Sequence, residues 1–290
     1  MRLERFHQAK QAEVAALRLA VERGSLPALL TAPRPDFAAA LRTPARRAPL
    51  AVVAEYKRAS PSRGVIREDL DVEEVVRQYA AAGASALSIL TEETYFHGRP
   101  DFLSRAAAPG LYPATPLPLL RKDFIFDPLQ VRATAATPAS ALLLIVRLTP
   151  EATVLRRLRE EAESFGMHAV VEVFDAADLR LARESGARII QVNARDLQTF
   201  AVDRAACLAL AEACPPENHE IWVAASGISE PEHLVLAASA GYRAALVGTA
   251  LMEHVRPGAA LAALLGNKSV RRVLDGVDSN VLKGENNHAD

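Results

Sequence analysis

The chain has 290 residues, half of them hydrophobic and 24% charged, with a formal net charge of −1. That balance allows a large buried core, and it excludes the basic stripe that a nucleic-acid partner would require. The opening MRLERFHQAK is charged throughout, and no apolar run reaches the roughly eighteen residues that a membrane span needs. A cytoplasmic protein, neither secreted nor membrane-bound, is therefore expected.

Residues 1–45 begin with a helical pattern in which Leu3, Phe6, Val14, Leu17 and Val21 form an imperfect apolar stripe. Such a helix needs something to cover. A Pro-rich passage from Pro27 to Pro49 follows. From residue 46 to 266, short apolar runs recur at 51–54, 86–90, 117–120, 141–146, 169–173, 188–192, 221–225 and 244–248. Amphipathic stretches such as DVEEVVRQYAAAGA and DAADLRLARESGA lie between them. Continuously apolar strands alternating with helices point to a parallel sheet covered on its outer face. Eight units predict a (β/α)8 TIM barrel with an N-terminal helical extension.

An open doubly wound sheet is the competing fold, because the third run is short and carries Pro116 and Pro118. No Gly-x-Gly-x-x-Gly turn follows the first strand to support it. Cys207 and Cys214 fall two turns apart on one helix and suggest neither a disulfide nor a zinc site; the seven histidines show no metal spacing. No metal is expected. Residues 267–290 are polar, end GENNHAD, and read as a weakly ordered tail.

Active sites of such barrels lie at the C-terminal ends of the strands, and polar residues gather there. Glu55 and Lys57 end the first strand, one pleat apart and so on one face. Lys122 and Asp123 end the third, Glu172 the fifth, and Asn193 and Arg195 the sixth. A single charge at a strand end is usually a solvated boundary, the reading kept for Asp123. Two lysines and two carboxylates at one barrel end are harder to explain that way. Ser226-Gly227 and Gly248-Thr249 follow the seventh and eighth strands, where backbone N–H groups and a hydroxyl suit a phosphate.

The motifs AEYKRASPSRG, LSILTEETYFHG, LLRKDFIFDPLQV, VVEVFDAADL, QVNARDLQTF, ASGIS and LVGTALM occur in this order. In them the chain resembles indole-3-glycerol-phosphate synthase, from the N-terminal helix to about Gly266. The resemblance implies conversion of 1-(2-carboxyphenylamino)-1-deoxyribulose 5-phosphate to the indole with loss of carbon dioxide and water, without cofactor or metal. It makes Lys122 the general acid, Glu172 the base for dehydration, and Lys57, fixed by Glu55, the holder of the departing carboxylate. Ser60, Phe96, Asn193 and Arg195 become substrate contacts, with Phe96 on the anthranilate side, and Ser226, Gly227, Gly248 and Thr249 the phosphate neighbourhood. The N-terminal helix would cover the barrel mouth. Association with other tryptophan-pathway enzymes stays open.

One position departs from the family pattern. A glutamate is expected immediately before the Ser-Gly of the seventh loop, and this chain has Ala225. Three readings therefore compete: an active synthase, a catalytically impaired phosphate- and anthranilate-binding relative, and a neighbouring barrel enzyme such as a phosphoribosyl-anthranilate isomerase. Retention of Lys57, Lys122 and Glu172 favours the first, and Ala225 the second.

Overall fold

A computed structural model describes residues 2–45, 48–196 and 199–266. The tail expected at 267–290 lies outside the described residues. After α1 (Arg2–Glu22) and α2 (Phe37–Leu41), eight parallel strands form: β1 (Ala51–Tyr56), β2 (Ala86–Leu90), β3 (Leu119–Ile125), β4 (Ala141–Ile145), β5 (His168–Val173), β6 (Ile189–Asn193), β7 (Ile221–Ala225) and β8 (Ala244–Val247). Each pairs with its sequence neighbours, and β8 pairs with β1 through Ala51–Ala244 to Ala54–Val247, so the barrel closes. The intervening helices are α3 (Val72–Ala82), α4 (Asp101–Ala106), α5 (Pro128–Ala135), α6 (Ala152–Ser164), α7 (Ala176–Glu184), α8 (Arg204–Ala213) and α9 (Pro231–Ser239); α10 (Thr249–Met252) and α11 (Pro257–Leu264) follow β8. A small antiparallel pairing of Ala59-Ser60 with Gly64-Val65 stands above β1.

Strand parity divides the apolar residues into two cores. Val52, Leu87, Leu142, Val171, Ile190 and Trp222 face the helices, while Val53, Leu120, Leu143, Val170, Ile189 and Val223 fill the barrel interior. Both faces of every strand are thus dry, which explains the continuous apolar runs. Several helices start on aspartates that follow strands: Asp127, Asp175 and Asp203 accept N–H bonds from the first turns of α5, α7 and α8. These caps turn the chain back at the barrel mouth.

Two sequence expectations shift. The third strand runs from 119 to 125, not 117–120, which places Lys122 in mid-strand. Pro116 and Pro118 have no N–H for the ladder, so pairing begins after them, and Phe124 and Ile125 extend it past a register irregularity. Within the Pro-rich passage α2 forms, capped by Asp36, and inserts Phe37 and Leu41 among the interior residues. Asp36 meets His168 at the start of β5, and Thr43 carbonyl accepts from Ser85 just before β2. α2 therefore plugs the N-terminal end of the barrel, while α1 lies across the opposite end.

Candidate active site

The interior parity of each strand continues into polar residues at its C-terminal end. After Ala51 and Val53 comes Glu55, with Lys57 beyond; after Leu120 comes Lys122; after Val170 comes Glu172; after Ile189 come Gln191 and Asn193. Alternation thus carries these side chains into one cavity. It is lined by Glu55, Lys57, Ser60, Phe96, Lys122, Glu172, Asn193, Arg195, Ser226 and Thr249 among others. Gly227 and Gly248 line a wider adjoining chamber shared by several of these residues. The inner cavity, about 120 Å³, is on the scale of cavities that admit one six-membered ring.

Two ion pairs cross the inner cavity. Glu55 Oε1 lies 2.9 Å from Lys57 Nζ, and its Oε2 accepts from Ser88 Oγ at 3.1 Å. Burial acts to raise the Glu55 carboxyl, but Lys57, Lys122 and these hydrogen bonds outweigh it, holding the group below the ordinary carboxylate range. Glu55 is therefore a fixed anion. Lys122 Nζ is 3.5 Å from Glu172 Oε2, which also accepts from Gln191 Nε2. Asn193 Oδ1 receives Ser226 Oγ at 2.8 Å and the Arg195 N–H at 3.0 Å, tying the sixth loop to the seventh.

The outer chamber is electropositive. Arg5, Lys57, Arg63, Arg195 and Arg204 line it against Glu55 and Glu253 as the carboxylates. Burial lowers the Arg195 guanidinium below its usual value, and nearby Arg63 pushes the same way. Cations that repel one another at a cavity wall favour an anionic ligand. Ser226 holds φ at +71° and Gly227 at +75°, and a Cβ on Gly227 would stand 2.5 Å from Val202 Cγ1. At Gly248 a Cβ would come 2.4 Å from Glu55 Oε1. The requirement for glycine at 248 comes from the close approach of Glu55.

One wall of the inner cavity is aromatic. Phe6 of α1 stacks on Phe124 with ring centres 4.4 Å apart, and Phe96 meets Phe124 at 6.1 Å. Phe96 is held by Glu92, whose buried carboxylate accepts the N–H groups of Thr94, Tyr95 and Phe96. Sequence reading singled out Phe96 alone. Phe6 was legible only as part of the apolar stripe of α1, and Phe124 and Gln191 only through strand parity: Phe124 lies two residues after Lys122, and Gln191 two before Asn193.

Asp123 overturns its expectation as a solvated boundary, being 3% exposed. Its carboxylate takes Lys10 Nζ at 3.0 Å, Arg121 Nη2 at 2.8 Å and Thr91 Oγ1 at 2.6 Å. Arg121 Nη2 also meets Glu13 at 3.0 Å, so the network clamps α1 to β3 beside Lys122. These charges push the Asp123 carboxyl down to about 2 against the opposing effect of burial. Among the described residues, Glu217, His219 and Glu220 group closely enough to suggest a metal, but they precede β7 at the far end of the barrel, where Arg183 and Trp222 already engage Glu220.

Known proteins resemble this chain in sequence and in fold. The family model for indole-3-glycerol phosphate synthase matches residues 3–264. A protein of that name from Chloroherpeton thalassium is 46% identical over 228 residues, 78% of this chain and 84% of its own. Another, from Roseiflexus sp., is 43% identical over 255 residues, 86% of this chain and 93% of its own. Among solved structures, a KGPDC from Streptococcus mutans in complex with D-R5P aligns with a TM-score of 0.56 at 11% identity, covering 78% of this chain and 99% of that one. Thiamine phosphate pyrophosphorylase from Pyrococcus furiosus aligns at 0.54 and 18% identity, covering 79% and 99%. At those identities the likeness shows the barrel alone. With the match spanning α1 through α11 and every barrel strand between them, the chain belongs to the indole-3-glycerol phosphate synthase family.

Proposed function

We propose that this protein is an active indole-3-glycerol-phosphate synthase acting on 1-(2-carboxyphenylamino)-1-deoxyribulose 5-phosphate. The observation that carries the reading is the Lys122–Glu172 pair, an ammonium and a carboxylate 3.5 Å apart on apolar strands, facing one cavity with an aromatic wall. A protein that only bound the ligand would need no such acid and base. The pair, together with the family match over the whole barrel, tells against the impaired-relative reading despite Ala225.

The anthranilate ring lies against Phe96, Phe124 and Phe6, and the phosphate enters the arginine-lined outer chamber at Ser226, Gly227, Gly248 and Thr249. Ser60, Asn193 and Arg195 hold the sugar part between them. The ring carbon bearing the carboxylate attacks the ketone carbon, and Lys122 gives its proton to the ketone oxygen. Lys57, anchored by Glu55, holds the carboxylate until the carbon–carbon bond breaks and its electrons return to the ring as carbon dioxide leaves. Glu172 then takes a proton from the methylene beside nitrogen while the hydroxyl takes up a proton from solvent and departs as water, completing the indole; the proton on Glu172 restores the Lys122 ammonium 3.5 Å away.

The helical extension at 1–45 serves the barrel at both ends: α1 covers the site and α2 plugs the base. We place the enzyme in the cytoplasm, where a phosphorylated intermediate is made and where free thiols such as Cys207 and Cys214 persist. No described helix is long and apolar enough to cross a membrane. Incubation with the carboxyphenylamino substrate should give rising indole fluorescence. Substrate binding without product would sink the catalytic reading.

A further inference from the structure

Gln191 is completely buried on the interior face of β6, between Ile189 and Asn193, and lines the inner cavity. Its Nε2 donates to Glu172 Oε2, the oxygen that Lys122 approaches from the other side. An oxygen accepting from an ammonium must be met by the NH2 end of the amide, so the side-chain orientation follows from the chemistry. The other end, Oε1, is buried and has no hydrogen-bond partner. A buried amide oxygen without a donor destabilises the fold, and unmatched polar atoms at a cavity wall point to a ligand. On neighbouring β7, Val223 pairs in register with Gln191 and the next interior side chain is the methyl of Ala225, so neither supplies the donor.

We propose that Gln191 both positions Glu172 and contacts the substrate, its Oε1 accepting the secondary amine N–H while its Nε2 holds the base. This inference rests on the synthase reading above. In the substrate the N–H and the methylene that loses a proton sit on adjacent atoms. In Gln191 the acceptor and the donor belong to one amide, so a single side chain can address both. As the hydroxyl leaves, nitrogen pushes electron density through the ring toward the carbon being vacated, and its N–H becomes more acidic. The hydrogen bond to Oε1 strengthens in that step, which is the condition for a contact to accelerate it. Ala225 is then compatible with turnover, because a neutral acceptor for the amine comes from the strand beside it.

The test uses two unreactive analogues in which the ketone is reduced to an alcohol, one keeping the amine linkage and one carrying an ether oxygen in its place. The unsubstituted protein should prefer the amine analogue by about five- to tenfold, the scale of one hydrogen bond. Gln191→Met, which keeps the volume and removes both polar ends, should bring the ratio near one and lower kcat by about tenfold or more with little change in KM. Gln191→Glu keeps an acceptor but sets a second carboxylate against Glu172. The other charged groups lining the cavity are Glu55, Lys57, Glu92, Lys122, Asp123 and Arg195. The acidic limb of its kcat profile should move to higher pH, a shift that loss of packing would not produce. If Gln191→Met fails to fold, the Gln191→Glu profile decides. An unchanged amine-to-ether ratio in Gln191→Met, or an unmoved limb in Gln191→Glu, overturns the assignment. Because the ratio is a binding measurement, it is read whether or not product forms; absence of product from the unsubstituted protein would instead defeat the synthase reading.

Discussion

Two charged networks leave the same strand in opposite directions, and they differ in how completely they are satisfied. From β3, Arg121 and Asp123 turn toward α1 and meet Lys10, Glu13, Thr91 and Thr134; both oxygens of Asp123 are engaged, and Arg121 donates through Nε, Nη1 and Nη2. Lys122, between them, turns inward and reaches Glu172 at 3.5 Å, beside an amide oxygen with no partner. The first network is closed and the second is open. Closure suits a clamp, because a buried charge is stabilised only when each of its polar groups is met. Openness suits a site, whose remaining capacity is completed by the ligand.

The sharpest test of this contrast removes the centre of the clamp. Asp123→Ala leaves Lys10 and Arg121 buried without their shared anion and should destabilise the protein by about 3–5 kcal/mol, read from urea unfolding. A stable Asp123→Ala variant that had merely lost activity would move Asp123 into the catalytic network. Next in size, Lys122→Ala should lower turnover by at least about a hundredfold, the scale for removing a general acid, with unfolding little changed. Near-normal turnover would remove Lys122 as the acid, and a large loss of stability would show that the inner network is a scaffold too.

A smaller effect is expected at the junction of the two chambers. Gly248→Ala introduces a Cβ that must displace the Glu55 carboxylate, so Lys57 loses its anchor and kcat should fall along with any rise in KM, together about tenfold. A change confined to KM would restore the view that Gly248 serves only the phosphate. The mildest test is acid titration. The carboxyl of Asp123 lies at about 2 in the fold and near 3.8 ordinarily, so the unfolded state takes up the proton first. Its contribution, about 2–3 kcal/mol, is fully present above pH ~4 and lost as the pH falls toward 2. Asp123→Asn should flatten that part of the stability profile, and an equally steep fall in the variant would assign acid sensitivity to other carboxyls.

Much of the molecule was legible before any coordinates. The eight apolar runs predicted a parallel sheet covered on both faces, because a strand dry on both faces must be apolar throughout, and that is a local property; closure into a barrel came from the pairing of β8 with β1. The same period of two carried Glu55, Lys57, Lys122, Glu172 and Asn193 to one end and one face, so their meeting in a cavity followed from parity once the barrel was assumed. What parity cannot supply is the partner. Whether Asp123 is solvated or buried depends on Lys10, 113 residues away, arriving on a helix whose own stripe is interrupted by that charge. The plug formed by α2 was hidden for a similar reason: a helix of five residues has too few positions to show a period, and Phe37 and Leu41 acquire their role only from the open barrel end they fill. Gln191 reads locally as one polar residue in an apolar strand. Only the tertiary structure sets its donor against Glu172 and leaves its acceptor buried without a partner, because hydrogen-bond satisfaction is a property of what surrounds an atom, and the sequence names the atom alone.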